Sequence, residues 1–420
     1  MKYRSILNRF IAPALVLTLC GSLLTGCTSL KENGPAAASS ELAQSDGAEE
    51  TASNAGTSFS FESLLKGSSE EDNWQVEEET RGLTGYYYDQ INPDQKQVYN
   101  QLYTGISGRK AEFVVESREV SYIEKSLNAL LNDHPEFFWL DGEAKIYGPE
   151  GGGKEKISLT FNIDPAEIDA VQAKIDQEAG TFLTSVSPTA TTYQKVRAAY
   201  EWIVRTTDYN LDASQDQNIQ SVFLNHASVC AGYAKSFKYL LNHMGIPCEL
   251  VYGEISDSGI AHVWNLVQID GIETYVDPTW GDPAYGENQQ DSAKLDIIYD
   301  YLGMTKEEVL RSRHRFTPDY SYPDCADRTY DFYRLLGDFF EGYDPDSLTA
   351  HLHASVRNGD SITYLKFGTF EAYSQAMANL FGNNGLIHDP LQVKMRKEGL
   401  GSMQYYYSNS DEMMTIKIFW

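Results

Sequence analysis

The chain has 420 residues, 42% hydrophobic and 12% aromatic, and a formal net charge of -27 from 60 acidic against 33 basic residues. That acidity excludes a nucleic-acid partner, because binding to the phosphate backbone needs clustered Lys and Arg. The stretch beyond residue 80, roughly 340 residues, is enough for two or three folding units of about 150 each.

At the N-terminus Lys2, Arg4 and Arg9 precede an apolar stretch from Ile11 to Leu24, which ends on Thr25-Gly26-Cys27. A basic flank, a short apolar core and small residues before a boundary form an export signal. The ending on Gly26-Cys27 resembles a bacterial lipobox. It implies cleavage before Cys27, lipidation of its thiol and a place at the bacterial cell surface or envelope, anchored to the membrane. The alternative, a transmembrane anchor, conflicts with the shortness of the run and with Pro13. Residues 1–26 are therefore assigned to a signal peptide and 27–80 to a tether. From Thr28 to Glu79 the chain is rich in Ser, Ala, Gly and Glu, and its few large apolar residues cannot offset the entropy of ordering it.

Residues 81–190 are expected to form an α/β region. Asn92-Pro-Asp-Gln95 has the cap, proline and capping-box glutamine of a helix start, leading through Val98, Tyr99 and Leu102. The pattern then predicts a strand over 111–116, a helix over 120–131, a strand over 157–163 and a helix from Asp164-Pro165 to about Leu183. Gly151-Gly152-Gly153 follows no clear strand and reads as a turn rather than a phosphate loop. A helix over 193–206, with Val196, Tyr200 and Ile203 on one face, opens the next region, 191–317.

Within that region three runs carry chemistry: Ser-Val-Cys-Ala-Gly-Tyr-Ala around Cys230, Ala-His-Val-Trp-Asn around His262 and Tyr-Val-Asp-Pro-Thr-Trp around Asp277. After Cys230, apolar residues recur at Tyr233, Phe237, Leu240 and Leu241 before Gly245-Ile-Pro247. This predicts an amphipathic helix whose N-terminus favours thiolate over thiol. Strands are expected over 249–253, 263–269 and 273–276, the last two forming a hairpin about Asp270-Gly271. His262 then starts one strand and Asp277 ends its neighbour, at the same end of the hairpin, as a base and its orienter require. Tyr233 and Asn265 are expected to support the site, and Trp264 and Trp280 to shield it. His226 is a rival base in a polar loop, and Asp282 a rival orienter.

These runs resemble the transglutaminase-like branch of the papain-type cysteine enzymes. The resemblance implies an α+β, papain-like/transglutaminase-like core: a helix bearing Cys230 packed on an antiparallel sheet bearing His262 and Asp277. It is strong over 196–283, and the short separation of Cys and His excludes the longer papain arrangement. It also implies acyl-enzyme chemistry on amide or peptide bonds, as peptidase, deamidase or amine acyltransferase, with a protein or peptide substrate that includes cell-wall peptide as an option. No cofactor or metal is called for. Crosslinking members carry a Trp ahead of the nucleophile that stabilises the oxyanion. None lies between Asn210 and Val229, which tilts the expectation toward hydrolysis. The Cys230 amide is one oxyanion donor, and Gln220 and Asn225 are candidates for the other. A non-catalytic peptide- or wall-binding lipoprotein using the same groove is the alternative, and a scaffold a third.

Residues 318–420 are expected to be a small α/β end domain. Thr305-Lys-Glu-Glu308 starts a helix before it, and the segment 318–323 marks the boundary. Helices over 330–341 and 370–380 mix with strands over 362–367, 404–407 and 413–419, the last two a hairpin about Ser408-Asn-Ser-Asp411. Of the five cysteines, Cys20 leaves with the signal, Cys27 takes lipid and Cys230 reacts. Cys248 and Cys325 either pair or stay as buried free thiols.

Overall fold

The computed structural model describes residues 2–6, 74–149, 151–256, 258–283, 297–312, 314–382 and 384–420. Cys27, the body of the signal peptide and the tether up to residue 73 lie outside the described residues. No helix among the described residues is long and apolar enough to cross a membrane.

The site rests on a five-stranded antiparallel sheet with spatial order Leu302–Met304, Ile272–Val276, Ile260–Ile269, Cys248–Ile255, His314–Phe316. Its central hairpin turns at Asp270-Gly271, where both residues have positive φ (50° and 87°). Asp-Gly supplies that conformation at low steric cost, and the turn matches the twist of the paired strands. The three strands expected from the sequence are present, each starting one to three residues earlier than read. The two outer strands were not expected, because three residues are too few to show an alternation.

Helix Cys230–His243 packs on this sheet through Tyr233, Phe237, Leu240 and Leu241, all buried. Two polar ties fix it there. Asn265 Nδ2 donates to the Ala234 carbonyl (3.0 Å), and Lys238 Nζ donates to the Cys248 carbonyl (2.6 Å) and pairs with Glu249. Each joins a helix group to a strand group, so the start of the helix is held relative to His262 by groups that would be costly to leave unpaired.

Before it, the expected α/β region has helices Pro93–Ser107, with the capping box closed between Asn92 and Gln95, Val120–Asp133 and Ile168–Ser185. Its antiparallel sheet runs Lys2–Ile6, Leu140–Gly148, Gly153–Phe161, Glu112–Ser117. Cleavage before Cys27 would remove the first of these strands. Strand Leu140–Gly148 escaped the sequence reading because Asp141-Gly142-Glu143 breaks the apolar alternation where the register shifts between Leu140 and Ala144. Helix Thr192–Thr206 also opens on a capping box, between Thr191 and Gln194. One hydrophobic core runs from Tyr87 through Tyr333 and takes in Met413, and it includes Tyr320, Tyr322 and Cys325 from beyond residue 317.

A second core lies in the end region, between helices Pro345–Asn358 and Phe370–Leu380 and the sheet Phe339–Phe340, Ile362–Phe367, Thr415–Phe419, Tyr406–Ser410. The helix expected over 330–341 is corrected to Phe332–Leu336. Gly337 takes up a left-handed conformation (φ 83°) and stops it, and Phe339–Phe340 then pairs in parallel with Ile362–Phe367. Helices Pro345–Asn358 and His388–Glu398 were not read from the sequence. The terminal hairpin is present, but its turn is corrected from Ser408–Asp411 to residues 411–414: Ser408, Asn409 and Ser410 pair within the strand, in the register Tyr406 to Phe419 through Ser410 to Thr415.

Candidate active site

Cys230 is the first residue of its helix, and the preceding Val229 offers no side-chain cap. The Gly232 and Tyr233 amides donate to the Val229 carbonyl (3.1 and 3.2 Å), so within the first turn the amides of Cys230 and Ala231 are the ones that no side chain closes. Gly232 is required two residues on, because a Cβ there would run into Ser228 and Ser221, whose hydroxyls bond each other at 2.6 Å. The segment feeding the helix is a π-helical turn, Ser221–Asn225, ended by His226 at φ 54°. His226 is exposed there and makes no part of the cluster around Cys230.

His262 is the third residue of strand Ile260–Ile269 and sits opposite Gly253. Its Nε2 lies 2.7 Å from Asp277 Oδ2. Asp277 follows strand Ile272–Val276 and caps the short helix Pro278–Gly281, its Oδ1 accepting from the amides of Thr279 (3.0 Å) and Trp280 (3.2 Å). The structure adds a residue that the sequence reading missed. His314 Nε2 lies 3.0 Å from the same Oδ2, on the edge strand His314–Phe316. Asp277 thus accepts two backbone and two imidazole bonds while fully buried, the coordination that makes a buried carboxylate tolerable.

The charges follow from this packing. Burial alone would lower the His262 pKa, but the charge and hydrogen bond of Asp277 outweigh it, and Cys230 adds a further hydrogen bond, so the imidazole is raised to about 10. For Asp277 burial acts upward and is overcome by His262 and then His314, leaving it well below the usual carboxylate range. His314 is pushed down, first by burial, with the His262 charge adding to it against the bond to Asp277. The three therefore divide into one imidazolium-favouring ring, one carboxylate and one neutral ring. With Nε2 of His262 committed to Asp277, Nδ1 is the nitrogen left for the thiol.

His262, Asp277 and His314 bring three ligand-type atoms within 4.8 Å of one another. Their separations of 2.7 and 3.0 Å are those of hydrogen bonds. Two ligands held tetrahedrally on zinc would stand about 3.4 Å apart.

The aromatic residues close the cluster. Trp264 stacks on His262 with centroids 5.9 Å apart, and Trp280 lies 4.6 Å from the His314 ring. The Tyr233 hydroxyl lies 2.7 Å from the Thr207 carbonyl and 2.6 Å from an Asp282 oxygen, so Asp282 serves Tyr233 and Asp277 serves the imidazoles. Asn225 is exposed and spends its amide on the Ser214 carbonyl (2.9 Å). Gln220 is buried with Nε2 unpartnered. Tyr209, also missed, is 42% exposed; burial of its hydroxyl, then the charges at Cys230 and Asp277, push its pKa up.

Cys230 is 4% exposed, and its neighbour Ala231 forms part of the wall of a cavity of about 210 Å³. Helix residue Lys235, strand residue Tyr252, loop residues Gln217 and Asn218, and Phe138 and Asp141 from the preceding region also line it. Cys248 and Cys325 are buried free thiols. Burial pushes both up, Cys325 to about 11.

Residues 181–278 match the family model of the transglutaminase-like superfamily. Kyphoscoliosis peptidase is 28% identical over 122 residues in Mus musculus and over 129 in Homo sapiens, which is 26% and 27% of this chain. The matched part spans 18% of the length of either relative. Among solved structures, a TGase is 17% identical with a TM-score of 0.25, over 44% of this chain and 54% of that one. The periplasmic domain of TgpA from Pseudomonas aeruginosa is 19% identical with a TM-score of 0.20, over 31% and 55%. Residues 181–278, the part similar to the transglutaminase-like superfamily, hold Cys230, His262 and Asp277 and have a mixed α and β fold built on an antiparallel sheet.

Proposed function

We propose that this chain is an exported, lipid-anchored thiol enzyme in which Cys230, His262 and Asp277 act as nucleophile, base and orienter on amide or peptide bonds. The observation that carries the reading is the 2.7 Å bond from His262 Nε2 to a fully buried Asp277, with Cys230 among the groups that raise the pKa of the same ring. The sulfur adds to the carbonyl carbon, the carbonyl oxygen takes up charge beside the Cys230 amide at the start of the helix, and His262 passes its proton to the departing amine. A thioester remains. Water then gives an acid, or a second amine gives a new amide, and His262 takes the proton of whichever attacks.

The test is incubation with mixed peptides and a primary amine, followed by mass spectrometry of protein and peptides. An acyl adduct on Cys230 and cleaved, deamidated or amine-coupled peptide are expected, all lost in Cys230→Ala. Peptide binding that survives Cys230→Ala, with no product from the wild type, would replace the reading by a non-catalytic peptide- or wall-binding lipoprotein. The anchor is tested separately: labelled palmitate is expected on the wild type and not on Cys27→Ala, and its retention on the variant would refute lipidation at Cys27.

A further inference from the structure

The cavity beside Cys230 holds a cation that the acyl-transfer steps leave unused. Lys235 lies five residues along the Cys230 helix, half-buried, and its ammonium donates to the Gln217 carbonyl (2.8 Å) and to no carboxylate among the described residues. Lys238 on the same helix is by contrast closed off by Glu249 and the Cys248 carbonyl. Burial pulls Lys235 down to about 8, with the Cys230 charge the one opposing influence. A desolvated ammonium with only a neutral carbonyl for company is unfavourable, and a counter-ion entering the cavity would relieve it. Asp141 and Asp216 also border the cavity, but each already has a donor: Asp141 accepts from the Glu143 amide (2.8 Å) and Asp216 from Gln217.

The cavity also reaches the residue that follows the proposed nucleophile. Ala231 of its wall is bonded to Cys230, and the Cys230 charge acts on two of its wall residues, Lys235 and Tyr252. A carboxylate one or two residues beyond an attacked carbonyl lies about 4–7 Å from it. Part of the wall, Phe138 and Asp141, comes from outside the 181–278 match, so this pocket is built from two regions of the chain.

We propose that Lys235 receives a carboxylate of the substrate, making the cavity the subsite for an anionic residue beside the bond that Cys230 attacks. The inference rests on the reading of Cys230 as nucleophile. The carboxylate comes from a free peptide C-terminus or from an acidic side chain, which share this chemistry.

The test compares alkylation of Cys230 by iodoacetate and iodoacetamide, followed by peptide mass spectrometry. Lys235→Met is expected to slow the anionic reagent about fivefold or more relative to the neutral one, with Lys235→Arg keeping most of the preference. The neutral reagent reports whether each variant retains its site. On the wild type, peptides are compared for protection of Cys230: free against amidated C-terminus, and Glu against Gln near that end. At least one carboxylate is expected to improve protection about fivefold or more, and the pair that responds names its source. Normal alkylation of Cys230 with neither an altered reagent ratio nor a carboxylate preference overturns the subsite alone. Failure of both reagents to single out Cys230 overturns the nucleophile as well.

Discussion

Asp277 organises the site from a single oxygen, with His262 and His314 both bonded to Oδ2 while Oδ1 caps the next helical turn. The pH dependence follows from the directions of the shifts. His262 is raised from its ordinary 6.5 to about 10, so its contribution to stability is full below about 6.5 and is lost as pH rises through about 10. Asp277 is lowered, so its contribution is present above the ordinary carboxylate value of about 3.9 and is lost only as pH falls through its depressed folded value. Both describe one ion pair and are not added. Urea midpoints are therefore expected to fall between pH 6.5 and 10, by on the order of a few kcal/mol in unfolding free energy, and to fall less in His262→Ala. Equal slopes for the two proteins would show that the pair does not hold the imidazolium. Cys230, His262 and Asp277 were legible because each stands in a distinctive local run. His314, inside Arg311-Ser312-Arg313-His314-Arg315, reads as basic surface, and Lys235 as an ordinary helix lysine. Only the third dimension brings the first to Asp277 and the second to the cavity.

At the scale of elements, the Cys230 helix, the Asp270-Gly271 hairpin and the three capping boxes at Asn92, Thr191 and Thr305 are local features, set by residues within four positions of one another. The helix, the hairpin and the starts at Asn92 and Thr305 were read for that reason, while the box at Thr191 emerged only in the structure. Strand Leu140–Gly148 and the edge strands Leu302–Met304 and His314–Phe316 are set by their partners across the sheet, so their own sequence carried little of the signal. Gly232 joins the two kinds. Its place in the Cys-Ala-Gly-Tyr run was plain, while the reason for it is the Ser221 and Ser228 hydroxyls lying where a Cβ would go. Gly232→Ala is expected to cost about 1–3 kcal/mol by forcing that contact apart, and to slow Cys230 alkylation by shifting the first helical turn. Denaturant unfolding and thiol labelling check the two effects. An unchanged midpoint with unchanged labelling would mean that the close approach is not needed.

Across the whole molecule, the end region's sheet meets the segments flanking the central sheet through buried charge. Lys366 lies between Glu308 (2.9 Å) and Asp331, and Lys417 pairs with Asp300 at 2.6 Å. Burial would raise Glu308, but the Lys366 charge outweighs it and holds the carboxyl down at about 2. Lys366→Met would remove the cation shared by two buried carboxylates, leaving Glu308 only the longer pairs to Arg328 (3.8 Å) and Arg311 (3.9 Å), and is expected to cost about 3–5 kcal/mol, whereas replacing Lys366, Glu308 and Asp331 together by apolar residues should cost far less. Urea unfolding of the single and triple variants checks this, and equal losses would contradict it. The most direct measurement of the central claim is the order in which the thiols react. With limiting iodoacetamide and peptide mass spectrometry, Cys230 is expected to be modified well before Cys248 and Cys325, and His262→Ala is expected to remove that lead. Similar rates at all three cysteines, or a lead that persists without His262, would contradict the account.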